Sequence, residues 1–160
     1  MSQPDINIPV LNVPVHPDTL DGRDPSLLRG DPIGGNRYYD TDFARQEWEH
    51  MWTKIWHVAG RLVEVEDPGD FVVHDFMNQS VICARQEDGS LKAFYNVCSH
   101  RGAPVVTEPK GKRLRLTCKY HGWSYSLDGE LKAIKDPEDF RDLDFTCRSL
   151  RSVRCDTFGK

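Results

Sequence analysis

The chain has 160 residues, 38% of them hydrophobic, so it can bury one core but not several. Its formal net charge of −4 argues against nucleic-acid binding, which needs a basic surface. Without about 18 consecutive apolar residues or a recognisable secretion signal, the sequence predicts a cytoplasmic protein that does not enter membranes.

Two segments precede the main domain. Residues 1–36 hold six of the ten prolines and have no helical or strand period, so we predict an extended arm, with a disordered tail as the alternative. In residues 37–56 apolar side chains recur at intervals of three and four, as in an amphipathic α-helix. They are Ala44, Trp48, Met51, Trp52 and Ile55. We expect Thr41 or Asp42 to cap this helix and its tryptophans to pack in a core.

Residues 57–160 are predicted to form the main domain. After the helix, short runs rich in β-branched and aromatic residues are separated by turns. The runs are WHVAGRLVEV, GDFVVHDF, QSVICARQ and LKAFYNVC, and a further hairpin is predicted around Asp128-Gly129. Short strands with close turns are typical of a mainly β fold, either an antiparallel sandwich or a small barrel.

Two short motifs carry the chemistry of this domain. Cys98 and His100 are separated by one residue, Cys118 and His121 by two, and 17 residues lie between His100 and Cys118. Two thiolates and two imidazoles suit a transition metal. Zinc knuckles usually pair Cys with Cys and His with His, whereas here each pair is mixed. If one iron takes both cysteines and another takes both histidines, each loop holds both metals of a two-iron cluster.

The motifs CSHRGAPV and CKYHGWSY resemble the Rieske domain in the large (alpha) subunits of ring-hydroxylating non-haem iron oxygenases. The resemblance covers about residues 38–158. It implies a Rieske-type antiparallel β-sandwich in which two hairpin loops bind a [2Fe–2S] cluster. The implied ligands are Cys98, His100, Cys118 and His121, and the implied residues around them are Arg101, Gly102, Gly122, Trp123 and Tyr125.

Departures from the respiratory-chain Rieske proteins bear on the redox potential. Those proteins carry two further cysteines at the positions of Ala103 and Tyr120, and a serine where this chain has Trp123. Loss of the serine hydroxyl predicts a potential near the low end of the Rieske range, about −150 mV. Tyr125 matches a tyrosine that donates a hydrogen bond to a ligand cysteine, with a plain core role as the alternative. We expect Trp123 to cover one side of the cluster, with core packing as the alternative, and Arg101 either to pair with a carboxylate or to contact a partner.

The resemblance also implies components outside this chain. Members of the family receive electrons from a ferredoxin or flavin-dependent reductase and pass them to a mononuclear Fe(II), held by two histidines and a carboxylate. This sequence lacks that triad, so we expect no catalytic residues here and a catalytic domain elsewhere. We expect a homo-oligomer, since alpha subunits commonly form trimers, and a truncated chain, since a strand-like run reaches its end. A free-standing Rieske ferredoxin and a structural zinc protein are the alternatives.

The other cysteines and two charged stretches give weaker signals. Cys83 is predicted to be buried, while Cys147 and Cys155 are predicted to be free thiols, with a disulfide between them as the alternative. Basic residues between the motifs either steer an acidic electron donor or form a solvated face. They are Lys110, Lys112, Arg113, Arg115 and Lys119. The acidic stretch DPEDFRDLDF is interpreted as a solvated loop or short helix face, with a docking surface as the alternative.

Overall fold

A computed structural model describes residues 35–159 of the chain, which fall into two compact units divided between Ile55 and Trp56. The arm predicted for residues 1–36 therefore lies almost entirely outside the described residues. Within the described range, no helix has the length and apolar character needed to cross a membrane.

The first unit contains the predicted helix, in a shorter form. Helix α1 spans Thr41–Glu47 and is followed by a π-helical turn over Trp48–Trp52. The Asp40 carboxylate caps α1 by accepting hydrogen bonds from the backbone N–H groups two and three residues on, at 2.8 and 3.2 Å. The cap predicted at Thr41 or Asp42 is therefore wrong. No residue of α1 or of the turn is buried, so the core role predicted for its tryptophans is also wrong. Periodicity defines an apolar face but not what covers it.

The second unit is built from eight short strands. They are β1 (Asp70–Phe76), β2 (Gln79–Arg85), β3 (Leu91–Tyr95), β4 (Lys110–Lys112), β5 (Leu116–Thr117), β6 (Ser124–Tyr125), β7 (Leu131–Ala133) and β8 (Ser152–Val153). One sheet has the order β4-β1-β2-β3-β8 and the other the order β5-β6-β7. All neighbouring strands run antiparallel. The predicted mainly β, antiparallel fold preceded by one helix is confirmed.

Both sheets contribute to one core. Phe71, Ile82 and Phe94 come from the larger sheet, and Leu116 and Tyr125 from the smaller one. Each of these side chains is at most 3% exposed. Burying a large apolar side chain stabilises a fold by about 1.5–3 kcal/mol. Because residues of both sheets share this core, it fixes the positions of the loops that leave their strands.

The prediction of a first strand, in the run WHVAGRLVEV, is wrong. Residues 56–65 contain no strand, and Leu62–Glu64 form a short 3-10 turn instead. The Glu64 carboxylate accepts a hydrogen bond from the backbone N–H of Arg61 at 3.1 Å and forms an ion pair with Lys110 at 3.3 Å. These contacts favour a turn at this point, so the β-branched composition of the segment did not decide its structure.

Candidate metal centre

The two motifs form loops with the same closure. The first loop lies between β3 and β4, and the second between β5 and β6. In the first, the Cys98 N–H donates to the Ala103 carbonyl at 2.8 Å, and the Gly102 N–H donates to the Cys98 carbonyl at 2.9 Å. In the second, the Cys118 N–H donates to the Trp123 carbonyl at 2.9 Å, and the Gly122 N–H donates to the Cys118 carbonyl at 3.0 Å, at the same sequence separations. Each cysteine is therefore fixed at the base of a tight, closed loop.

Glycine is needed in both loops for conformation rather than for space. Gly102 has φ 73° and Gly122 has φ 75°, a left-handed backbone that other residues adopt at a cost. A Cβ at Gly102 would meet nothing within 4 Å, and one at Gly122 would meet only the Lys135 Cβ at 4.0 Å. Each glycine therefore permits the sharp turn that closes its loop, two residues after His100 and directly after His121.

The structure brings the four candidate ligands together as a histidine pair and a cysteine pair. Cys98 is 3% exposed and Cys118 is 2% exposed, while His100 and His121 are half-buried. The two imidazole rings are 4.6 Å apart and lie edge to face at 73°. Burial raises the pKa of the Cys98 thiol, and the neighbouring Cys118 thiol raises it further. The two cysteines thus form one pair and the two histidines another, and each loop contributes one residue to each pair.

The donor atoms of these residues fit a [2Fe–2S] cluster. His100 Nδ1 is buried and has no hydrogen-bond partner, an arrangement that costs about 1–3 kcal/mol unless another group binds the atom. Burial lowers the pKa of His100, as do the charges of His121 and Arg101, which favours the neutral form that binds metal. Within residues 35–159 no three His, Cys, Asp or Glu side chains converge on a point that could hold one metal ion. A two-iron cluster needs only two protein ligands at each iron, whereas a structural zinc needs four.

Two aromatic rings cover the His100 side of the site. Trp123 is 2% exposed and stacks on the His100 ring at 4.8 Å with an interplanar angle of 9°. Phe140 lies edge-on to both rings, with centroid distances of 5.8 Å. Trp123 thus packs in the core of the domain and covers one face of His100, and its covering of a cluster stays a prediction. Phe140 was missed, because it belongs to the acidic stretch interpreted as a solvated loop or short helix; the apolar residues among those charges, Phe140, Leu143 and Phe145, were the available signal.

Tyr125 lies beside the cysteine pair and is fully buried. Its hydroxyl is 3.3 Å from Cys98 Sγ, as the resemblance implies. It also accepts a hydrogen bond from the Ser99 N–H at 3.1 Å and lies 2.9 Å from Ser99 Oγ. Burial raises the pKa of Tyr125 to about 12, so the hydroxyl keeps its proton at neutral pH. Sequence reasoning missed Ser99, which occupies the variable position of the first motif.

The basic series between the motifs is largely neutralised by carboxylates. Lys110 pairs with Glu64, Lys112 with Asp67 and Asp70, and both Arg113 and Lys119 with Glu108, at distances of 2.7–3.9 Å. Four of the five basic residues are therefore ion-paired, and steering of an acidic donor by this series stays a prediction. Arg101, by contrast, is exposed and forms no ion pair with another residue of the described range.

The cysteines outside the site are free thiols, as predicted. Cys83 is buried and Cys147 is exposed. Cys155 packs beside Cys83 rather than pairing with Cys147. A hydrogen bond between these thiols, together with burial, raises the pKa of Cys83, while the same bond lowers that of Cys155 to about 7.

Comparison with known proteins identifies similar chains. The family model described as the Rieske [2Fe–2S] domain matches residues 55–150. The chain is 34% identical over 120 residues to the 2-halobenzoate 1,2-dioxygenase large subunit of Burkholderia cepacia, covering 71% of this chain and 26% of the relative. It is 32% identical over 123 residues to the carnitine monooxygenase oxygenase subunit of Escherichia coli K12, covering 76% and 33%.

Solved structures agree with the sequence relatives. A naphthalene 1,2-dioxygenase with indole bound in its active site superposes with a TM-score of 0.71 at 31% identity, covering 76% of this chain and 28% of that one. A quaternary ammonium Rieske monooxygenase superposes with a TM-score of 0.69 at 28% identity, covering 74% of this chain and 33% of that one. The chain thus spans about a quarter to a third of the length of these proteins, and the sequence relatives are named as subunits of oxygenases.

Proposed function

The chain belongs to the Rieske [2Fe–2S] domain family, and on that basis we propose that it is an electron-transfer domain. Cys98 and Cys118 would bind one iron of the cluster, and His100 and His121 the other. Such a cluster takes up and releases one electron at a time, at a potential raised by its neutral imidazole ligands. The observation that carries this proposal is the buried, unpartnered Nδ1 of His100, which adjoins a second histidine in a site with two buried thiols.

The residues of this chain suit electron transfer because they hold the site rigid and shield part of it from water. The paired hydrogen bonds that close each loop limit movement of Cys98 and Cys118 between redox states. The stacked ring of Trp123 fixes the orientation of His100 and excludes water from one of its faces. A site that reorganises little on gaining an electron exchanges it with a small barrier.

In the whole protein, we propose, this domain serves an aromatic-ring-hydroxylating or related oxygenase, either a mono- or a dioxygenase. The similarity to oxygenase large subunits, which falls in their N-terminal part, supports this assignment. The domain would receive electrons from a ferredoxin or a flavin-dependent reductase. It would pass them to a mononuclear non-haem iron bound outside this chain, within a homo-oligomer such as a trimer. A free-standing Rieske ferredoxin is disfavoured, because the relatives named above are oxygenase subunits.

The proposal is tested by EPR spectroscopy of the dithionite-reduced protein, with iron and acid-labile sulfide measured on the same sample. We expect the rhombic signal of a histidine-ligated cluster and two irons per chain. Replacing Cys98 by serine should abolish the signal and the visible absorption. Cys147→Ser is the matched control, because Cys147 is an exposed thiol outside the site. An EPR-silent protein with one zinc per chain would overturn the proposal, as would a normal spectrum in Cys98→Ser.

A further inference from the structure

We propose that Ser99 is a positioning residue that draws the Tyr125 proton away from Cys98 and thereby keeps the redox potential low. The inference rests on the proposed function, because it concerns the sulfur of a proposed cluster ligand. It assigns a role to the variable residue of the first motif, which neither binds metal nor lies in the core.

The Tyr125 hydroxyl lies within hydrogen-bonding distance of three atoms. They are Cys98 Sγ at 3.3 Å, Ser99 Oγ at 2.9 Å and the Ser99 backbone N at 3.1 Å. A phenol has one proton to donate and can also accept hydrogen bonds. The backbone N–H can only donate, so it uses the acceptor capacity of the hydroxyl. The single Tyr125 proton is therefore left for either the sulfur or the serine oxygen.

The Ser99 hydroxyl proton is already committed elsewhere. Ser99 Oγ forms a short hydrogen bond with the backbone carbonyl of Arg148. A carbonyl oxygen can only accept, so Ser99 must donate its proton there. Ser99 then has no proton for Tyr125, and the 2.9 Å contact between the two hydroxyls is a hydrogen bond only when Tyr125 donates it. The Arg148 carbonyl thus makes Ser99 an acceptor that competes with Cys98.

This competition has a direct consequence for the potential. Reduction adds negative charge to the cysteine sulfurs, so a donor to sulfur stabilises the reduced state more than the oxidised state and raises the potential. While Tyr125 donates its hydrogen bond to Ser99, that stabilisation is absent. If the Tyr125 hydroxyl turns to donate to Cys98 on reduction, it loses the hydrogen bond to Ser99, and this loss offsets part of the gain. A buried tyrosine next to a ligand cysteine is therefore compatible with a low potential.

The test is a double-mutant cycle on the midpoint potential, measured by optical redox titration. Ser99→Ala should raise the potential, because the Tyr125 proton is then free to bind sulfur in both redox states. Ser99→Thr keeps the hydroxyl and should restore the wild-type value. In the Tyr125→Phe background Ser99→Ala should produce no shift, because no phenolic proton remains to be redirected. If Ser99 had only a structural role, Ser99→Ala would shift the midpoint potential equally in the wild-type and Tyr125→Phe backgrounds.

Two results of the mutant cycle would overturn the role proposed for Ser99. The inference is overturned if Ser99→Ala leaves the potential unchanged or lowers it, or if the same rise appears in the Tyr125→Phe background. Iron and sulfide are measured in every sample, so a wild-type protein without a cluster defeats the proposed function, whereas an intact cluster without the shift defeats this inference alone.

A second measurement does not depend on how the Ser99 variants fold. Resonance Raman spectra of the oxidised protein in H₂O and D₂O report hydrogen bonds to the iron-bound cysteine sulfurs. We expect wild type and Tyr125→Phe to give the same isotope shifts, since the proton lies on Ser99 in the oxidised state. A larger shift in the wild type would place that proton on Cys98 and overturn the inference.

Discussion

Replacing His100 by cysteine tests the proposed ligand set most directly, because it exchanges a neutral imidazole for a thiolate at the same iron. The variant adds one negative charge directly at the iron that His100 is proposed to bind. At a separation of about 4 Å and an effective dielectric constant of about 20, the added charge disfavours a further electron by about 4 kcal/mol. For a one-electron couple this corresponds to a fall in midpoint potential of about 170 mV.

The assay is an optical redox titration of the wild type and of His100→Cys, with EPR spectra of both reduced proteins. We expect the wild type near the low end of the Rieske range, about −150 mV, and the variant well below it. His50→Cys is the matched control, since His50 is exposed on the π-helical turn and its replacement adds a thiol outside the site. An intact cluster in His100→Cys with an unchanged potential would refute the assignment of His100 as a ligand. An equal fall in His50→Cys would refute the electrostatic argument.

Three further predictions concern the surroundings of the site. Gly122→Ala should lower the free energy of unfolding by about 1–2 kcal/mol, because only the left-handed backbone opposes the new Cβ; Gly122→Asn should cost less, and equal denaturation midpoints for Gly122→Ala and the wild type would contradict this. Phe140→Ala removes a ring that lies edge-on to His100, so visible absorbance should bleach faster in air; bleaching at the wild-type rate would mean that Phe140 does not shield the site. Arg101→Gln should slow reduction by an acidic ferredoxin at low salt, as measured by stopped flow. Lys112→Gln, which removes a lysine already paired with carboxylates, should have little effect, and equal slowing in both variants would argue against a specific role for Arg101.

The candidate ligands can be proposed from the sequence because their arrangement is local. Cys98 and His100 lie in one six-residue loop and Cys118 and His121 in another, and each loop is closed by bonds between its own backbone groups. Residue type and spacing within such loops are therefore enough to indicate the chemistry of the site. The antiparallel fold is predictable for a related reason, since strand alternation and turn residues are also local signals.

Contacts between distant residues could not be predicted in the same way. Ser99 meets Tyr125 and the Arg148 carbonyl across 26 and 49 positions of sequence, and no spacing rule connects them. The carboxylates that neutralise Lys110 and Lys112 likewise come from segments about 45 residues earlier. Charge counted along the sequence therefore suggested a basic surface that tertiary pairing removes.

The cysteine pair and the histidine pair of the proposed ligand set have different surroundings. We therefore expect the cysteine side to affect the redox potential and the histidine side to affect the rate of electron transfer. On the cysteine side, Cys98 is buried and contacts the hydroxyl of Tyr125, so its hydrogen bonds act on the relative stability of the two redox states. On the histidine side, His121 is half-buried against Tyr120, a ring that is 63% exposed and lies 3.8 Å away. The histidine side is therefore the shorter path between the cluster and a docked protein. Substitutions around Cys98 should change the potential, whereas substitutions at Tyr120 should change electron-transfer rates at an unchanged potential.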